Sequence, residues 1–346
     1  MKHVFIVAES GCNHNGSKDL AREMVIKAKE CGVDAVKFQT YKADALISCY
    51  APKAEYQKET TGTVESQLEM TKKLEFSHDD LIELKAYAES LGLVVFSTPF
   101  DLDSVDFLNS IGQSLWKIPS GEITNLPYLK RIGAIKIDNK KIILSSGMAT
   151  IDEIKTCIGV LVEAGTNEND IILLHCNTEY PTPDKDVNIL AINDLKEQFP
   201  NVSIGFSDHS VGYVAAVGAA ILGVSLIEKH FTLDKNFAGP DHKASATPEE
   251  LKALVENVRR IEVMAGSSKK IVTESERKNK IVARKSIVAA RNIVKGEILT
   301  EENITCKRPG NGISPMKWYD ILGKVAEKDF RTDELIEQSG FEWQEC

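Results

Sequence analysis

The stretch KIILSSGMATIDEIKTCIGVLVEAGTNENDIILLHC (141–176) is a strand–helix–strand unit. Its flanks, KIILSSG (141–147) and DIILLHC (170–176), are short, apolar and β-branched, as strands buried on both faces require. Between them TIDEIKTCIGVLVEAG (150–165) carries apolar residues at helical spacing and stops at a glycine. The same alternation recurs on either side. Further strands are expected at HVFIVAE (3–9), DAVKFQT (34–40), LVVFSTPF (93–100), SLWKIPSGE (114–122), VSIGFSD (202–208) and VSLIEKHF (224–231). Helical patterns separate them, among them DLAREMVIKAKECG (19–32), HDDLIELKAYAESLG (78–92) and GYVAAVGAAILG (212–223), and TPEELKALVENVRRIEVMAG (247–266) closes the series. Eight such units in about 265 residues predict an α/β fold of the (β/α)8 barrel class. A doubly wound sheet is the rival, but no GxGxxG follows the first strand.

The pattern changes after Gly266. SSKKIVTESERKNK (267–280) reads as a solvated linker or a helix end, and residues 284–346 offer short apolar runs broken by KGE, TEEN and PGNG turns. The expected organisation is a barrel over 1–266, a linker over 267–283 and a small β-rich module over 284–346. At roughly 60 residues that module has a marginal core and should pack on a barrel, its own or another subunit's. No stretch approaches a membrane span, and the first apolar run breaks at Glu9, too early for a signal peptide, so a cytoplasmic protein is expected. Seven cysteines (Cys12, Cys31, Cys49, Cys157, Cys176, Cys306, Cys346), with no CxxC pair, suggest neither a disulfide framework nor a zinc site. A formal net charge of −9 argues against a nucleic-acid surface.

In a barrel of this class the active site lies at the C-terminal ends of the strands. Every predicted strand supplies polar residues there: Glu9; Lys37 and Gln39; Thr98; Lys117, Ser120 and Glu122; Ser145 and Ser146; His175 and Asn177; Ser207, Asp208 and His209; Glu228, Lys229 and His230. Lys37 and Lys117 lie within otherwise apolar strands, where an ammonium needs a counter-ion. With the hydroxyls of Thr98, Ser120, Ser145 and Ser207 they compose a phosphate or carboxylate cradle; the structural alternative is ion pairs to Glu9 or Glu122. His209 and His230 end consecutive strands and can converge on a borderline divalent cation such as Mn2+, with Co2+ or Mg2+ as further candidates. His3, His14 and His78 read as structural. A glycosidase pairing Glu9 with Glu122 would leave the lysines, histidines and hydroxyls unemployed.

These residues sit in AESGCNHNG (8–16), VKFQT (36–40), FSTPFD (96–101), KIPSGEITNLPYL (117–129), ILSSGM (143–148), LLHCNTEYPTP (173–183), GFSDHS (205–210), IEKHFTLDKNFAGPDHKAS (227–245) and KRPGNGI (307–313). In these motifs, over essentially its full length, the chain resembles the sialic acid (nonulosonic acid) synthases, which condense phosphoenolpyruvate with an N-acylated hexose aldehyde. The resemblance implies a barrel joined to a C-terminal antifreeze-like (SAF) domain. It implies that His209 and His230 bind the metal, and that Lys37, Thr98, Lys117, Ser120, Ser145 and Ser207 meet phosphoenolpyruvate. Glu9, Gln39, Glu122, Tyr180 and Asp241 match positions facing the sugar and the reacting centre. Arg308 matches an arginine that completes the active site of the other subunit in a homodimer.

The expected mechanism follows from the reaction. Positive charge develops at the enol carbon as the C–C bond forms, and a water deprotonated toward Glu9 or Glu122 adds there, expelling phosphate by C–O cleavage. Glu122 is favoured as the proton acceptor because it follows Lys117 and Ser120 on one rim. Relatives that make N-acetylneuraminate read VKHQT and GSGECNN where this chain has VKFQT and PSGEITN, so the chain is more similar to bacterial legionaminic acid synthases. Phe38 and Ile123 suggest a less polar acceptor, with 2,4-diacetamido-2,4,6-trideoxymannose favoured and N-acetylmannosamine the alternative. The small C-terminal module also admits a carbohydrate-binding protein, a reading that ignores the barrel rim.

Overall fold

The computed structural model describes residues 2–343; Cys346 lies outside the described residues. The chain divides into two compact units, Met1–Gly266 and Ser267–Cys346. In the first, eight parallel strands carry the fold: β1 (Phe5–Gly11), β2 (Ala35–Thr40), β3 (Val94–Pro99), β4 (Leu115–Ile118), β5 (Lys141–Ser145), β6 (Ile171–Cys176), β7 (Ser203–Asp208) and β8 (Leu226–His230). Their hydrogen-bonded order is β3-β2-β1-β8-β7-β6-β5-β4, and β3 packs beside β4 to close the ring. This is the (β/α)8 barrel.

One helix after each strand covers the outside. Ile151–Glu163 shows why such segments become helices. Thr150 accepts from the Glu153 N–H while the Glu153 carboxylate accepts from the Thr150 N–H, and Ile154, Cys157, Ile158 and Leu161 bury one stripe. The helix Lys18–Cys31 ends where Gly32 takes φ 80° and donates to the Lys29 carbonyl, a left-handed cap that suits glycine. The segment between β2 and β3 departs from this plan. Before its covering helix, His78–Ser90, it inserts three short helices, Ala43–Leu46, Glu55–Thr61 and Gln67–Lys72. No helix among the described residues is long and apolar enough to cross a membrane.

Side-chain alternation along the strands divides the barrel into two cores. Ile6, Ala8, Val36, Phe38, Ile118, Ile142, Leu144 and Leu173 point outward into the layer shared with the helices. Val7, Ala35, Phe96, Ile143, Leu174 and Leu226 point inward and plug the base of the barrel. Packing in that plug is tight: a methyl on Gly205 would lie 2.3 Å from Leu174 Cδ2. Everything two residues further along an inward-facing strand position therefore emerges above the plug, at the C-terminal mouth.

In the second unit β9 (Ser286–Ala289) pairs antiparallel with β10 (Ile304–Lys307), and isolated bridges at Val288–Leu335, Ile293–Phe330 and Ile298–Val325 extend this β-rich module. Ile287, Ile293, Leu299, Ile304, Ile313 and Phe330 fill its core. Part of the stretch expected as linker is the helix Glu274–Ala283. It has no buried residue; the Glu276 carboxylate accepts from the N–H of its N-cap, Thr273, and Glu274 pairs with Arg277 one turn on.

Candidate active site

Two residues beyond the inner plug, seven of the eight strands change from hydrocarbon to chemistry; on β6 the corresponding residue after Leu174 is Cys176. Val7 is followed by Glu9, Ala35 by Lys37 and Gln39, Phe96 by Thr98, Leu115 by Lys117, Ile143 by Ser145, Gly205 by Ser207 and His209, and Leu226 by Glu228 and His230. These side chains line a cavity of about 310 Å³, together with Cys12, Ser120, Tyr180 and Asp241. Of the residues singled out from sequence, the structure brings Glu9, Lys37, Gln39, Thr98, Lys117, Ser120, Ser145, Tyr180, Ser207, His209, His230 and Asp241 into this one cavity.

At the cavity base is a buried network of two lysines and two glutamates. Lys37 Nζ stands 2.6 Å from Glu9 Oε2 and 3.8 Å from Glu228 Oε2, and donates to Thr98 Oγ1 at 3.1 Å. Lys117 Nζ lies 2.8 Å from both oxygens of Glu228. The lysines thus do have internal counter-ions, but the partner of Lys117 is Glu228, neither of the two glutamates anticipated. The reason is register: Glu228 lies on the inward parity of β8, between Leu226 and His230, whereas its neighbour Lys229 points outward to a buried pair with Asp208 at 3.0 Å. Asp208, Lys229 and His175, all noted as polar strand ends, belong to this outer layer. His175 donates to or accepts from no cavity group; it bonds the Val187 carbonyl and stacks on Phe206.

The electrostatics of the two glutamates differ. Burial, reinforced by the charge of Glu228, outweighs Lys37 and lifts Glu9 to about 7. Burial acts the same way on Glu228, but Lys117 and Lys37 together overcome it and hold the carboxyl below its ordinary range. Glu9 is further fixed by Gln39, whose Nε2 donates to Oε1 at 3.1 Å. Gly11 leaves room for both groups: at φ 50°, a methyl there would lie 3.1 Å from Glu9 Oε1 and 3.2 Å from Gln39 Nε2. Glu122 is placed differently. It ends the single turn Ser120–Glu122, accepts from Asn125 Nδ2 at 2.6 Å and does not line the cavity, while Ser120 in the same turn does. Of the two candidate proton acceptors, the cavity therefore holds Glu9.

Above the charged network, His209 and His230 face each other with ring centroids 5.2 Å apart. The Asn177 carbonyl bonds His209 Nδ1, which leaves the lone pair on Nε2, 3.2 Å from Ser207 Oγ. His230 Nδ1 is buried with no hydrogen-bond partner. Burial lowers His209 to about 4 and holds His230 well below the ordinary imidazole range, so both rings are neutral donors at pH 7. Among the described residues no third histidine, cysteine, aspartate or glutamate converges with them. Two neutral imidazoles lining one cavity suit a divalent cation that takes its remaining ligands from water and substrate.

Tyr180 lies over this pair, its ring 4.2 Å from His209 and 5.3 Å from Tyr56. Cys12 donates to the buried Asp241, and burial lifts that carboxyl to about 6. Phe38 and Ile123, expected to soften the acceptor site, do neither: both are buried in the helix-facing core, Phe38 because it has the opposite parity to Lys37 and Gln39. Arg308 belongs to the second unit, where it is exposed and donates from Nε to the Ala283 carbonyl. The three histidines read as structural are so, His14 against Phe76, His78 stacked on Phe107 and His3 paired with Asp34; a fourth, His242, is buried against Thr232 Oγ1 at 2.7 Å.

The inserted helices between β2 and β3 add wall residues that no sequence motif announced, including Leu46, Ile47, Tyr56, Gln57, Gln67 and Met70. Their one signal is length: about 37 residues separate β2 from the helix that covers it, far beyond an ordinary βα loop.

Residues 24–270 match the NeuB family and residues 284–342 the SAF domain. The chain is 49% identical over 338 residues to the N,N'-diacetyllegionaminic acid synthase of Campylobacter jejuni subsp. jejuni serotype O:2, covering 98% of this chain and 100% of the relative. It is 43% identical over 321 residues to the N,N'-diacetyllegionaminic acid synthase of Legionella pneumophila subsp. pneumophila, covering 92% and 89%. A solved structure, N-acetylneuraminic acid (sialic acid) synthetase from Leptospira borgpetersenii serovar Hardjo-bovis in complex with citrate, aligns with a TM-score of 0.69 at 33% identity over 80% of this chain and 90% of that one. With most of its length matched, and with a barrel mouth that gathers the residues its motifs pointed to, the chain belongs to the NeuB family of synthases and carries a C-terminal SAF domain.

Proposed function

We propose that this enzyme condenses phosphoenolpyruvate with 2,4-diacetamido-2,4,6-trideoxymannose to give N,N'-diacetyllegionaminate and phosphate. The observation that carries the chemistry is the buried lysine–glutamate network, with two ammonium groups at the base of a cavity that also holds two neutral imidazoles. The acceptor rests on the two legionaminic acid synthases at 49% and 43% identity.

Lys37 and Lys117 bind the phosphate and carboxylate of phosphoenolpyruvate, with the hydroxyls of Thr98, Ser120, Ser145 and Ser207 as further donors. Ser120 is fixed for this: its oxygen accepts from the Gly147 N–H at 3.0 Å, and its hydroxyl contacts Cys176 Sγ at 3.4 Å, a weak partner that a phosphate oxygen can displace. His209 and His230 would hold a divalent metal, Mn2+ by donor type, which when bound supplies Lewis-acid polarisation of the acceptor's aldehyde. Attack of the enol methylene on the aldehyde carbon forms the C–C bond and leaves positive charge at the enol carbon. Water adds there, and Glu9, titrating near 7, takes one of its protons, which is returned to the alkoxide left on the former aldehyde oxygen, while the second leaves with the phosphate. The tetrahedral product then collapses with C–O cleavage, and phosphate leaves with the bridging oxygen toward the lysines. Gln39 holds Glu9 in place, and Tyr180 and Asp241 face the sugar. The protein acts as a homodimer in which Arg308 reaches the active site of the other subunit, where a guanidinium suits the sugar's acyl carbonyl.

Phosphate release from phosphoenolpyruvate, with the diacetamido sugar and N-acetylmannosamine supplied at equal concentration, tests this reading. The diacetamido sugar should be turned over faster. No phosphate with either sugar would refute the synthase assignment, and faster turnover of N-acetylmannosamine would refute the acceptor.

A further inference from the structure

Every side chain that the strands themselves send into the cavity is polar or charged, and the proposed reaction employs these groups on phosphoenolpyruvate, the metal and proton transfer. An apolar group on the acceptor can be buried only elsewhere. Phe100, Pro119, Met148 and Pro240 reach the cavity singly from separate loops, whereas the inserted segment between β2 and β3 contributes Leu46, Ile47, Met70 and Leu74 together, and Leu46, Ile47 and Leu74 are half-buried, with surface left to cover. The segment is held as a defined wall. Lys53, itself buried, donates to Thr61 Oγ1 at 2.9 Å and to the Gly62 carbonyl at 3.1 Å. The Ala43 N–H donates to Glu75 Oε1 at 2.7 Å, and Tyr41 reaches the Thr71 carbonyl at 3.5 Å.

We propose that this inserted segment selects the acceptor, and that Leu46, Ile47, Met70 and Leu74 form a seat for the methyl group of a 6-deoxy sugar. The inference rests on the synthase reading above and adds to it the residues that choose between sugars. A methyl gains by leaving water for these four side chains, whereas the hydroxyl of an ordinary hexosamine seated against them would lose its water to groups that offer it no hydrogen bond. Discrimination of this kind reaches about ten- to a hundredfold in kcat/KM.

The test compares two acceptors that differ only at carbon 6, 2,4-diacetamido-2,4,6-trideoxymannose and 2,4-diacetamido-2,4-dideoxymannose, each with phosphoenolpyruvate and phosphate release as readout. The wild-type protein should prefer the deoxy sugar by about ten- to a hundredfold. Ile47→Asn should reduce that ratio to below about threefold, chiefly through loss on the deoxy sugar, and Ile47→Val should retain it. Leu46→Asn provides a second, independent position should Ile47→Asn not fold. A wild-type ratio near one, a ratio that survives both asparagine variants, or equal loss on both sugars would overturn the inference while leaving the synthase reading intact. Absence of phosphate release by the wild-type protein with either sugar would instead overturn the synthase reading and this inference with it.

Discussion

Glu228→Gln removes one negative charge from the base of the cavity while keeping the side chain's size. In the wild-type protein Lys117 Nζ is 2.8 Å from both carboxylate oxygens, and Lys37 retains Glu9 at 2.6 Å whether or not Glu228 is present. The substitution therefore strands Lys117. Breaking a buried ion pair from one side costs about 3–5 kcal/mol, because the remaining charge is left uncompensated. For a barrel of this size that is a fall in Tm on the order of 6–20 °C. The same change should strengthen anion binding. A unit charge about 6 Å from a bound phosphate, at an effective dielectric of about 20, repels it by about 3 kcal/mol, or roughly a hundredfold in Kd. Thermal unfolding of both proteins, with inorganic phosphate titrated in, reads the two effects together. The variant should melt well below wild type in its absence and be raised further by a given phosphate concentration. A destabilisation under about 1 kcal/mol, with identical phosphate responses, would refute the pairing of Lys117 with Glu228 in solution.

Three further outcomes are expected. Glu9 is raised from 4.5 to about 7, so its proton stabilises the folded protein in full below pH 4.5, and that contribution is lost as pH rises through 7, about 3 kcal/mol in all. The stability of wild type relative to Glu9→Gln should fall over this window, and kcat/KM should show an acid limb near pH 7 that tracks the base form; a pH-independent difference and no limb would contradict both. Excess chelator should abolish turnover and Mn2+ or Co2+ restore it in wild type but not in His209→Ala or His230→Ala, while full activity in chelator would exclude the metal. Co-expressed Arg308→Ala and His230→Ala chains should recover about a quarter of wild-type activity by assembling mixed dimers with one intact site; a mixture as inactive as either variant alone would place Arg308 at its own barrel.

The barrel was legible because its strands are unbroken apolar runs set between amphipathic helices, a pattern that survives without knowledge of tertiary contacts. Val94–Pro99 and Ser203–Asp208 fall within a residue or two of the expected strands. Side-chain parity decides which polar strand ends reach the cavity. Counting in twos from Leu226 points Glu228 and His230 inward and Lys229 outward; counting from Ala35 points Lys37 and Gln39 inward and Phe38 away from the cavity. The inserted segment was illegible for a different reason. Ala43–Leu46 spans a single turn and Glu55–Thr61 buries none of its residues, so neither carries an amphipathic stripe to read. What these helices cover is decided by the cavity opposite them, which only the closed barrel creates. Glu122 shares a rim with Ser120 in sequence, yet a single tight turn directs one side chain into the cavity and the other to Asn125.

The central claim is that the charged cavity joins the enol carbon to an aldehyde and releases phosphate by cleaving carbon from oxygen. Turnover of phosphoenolpyruvate and the diacetamido sugar in 18O-labelled water, with mass spectrometry of both products, tests it most directly. One solvent oxygen is expected in the new sugar acid and none in the released phosphate. Label in the phosphate, with an unlabelled acid, would mean that water attacks phosphorus and would contradict the chemistry assigned to Glu9, Lys37 and Lys117.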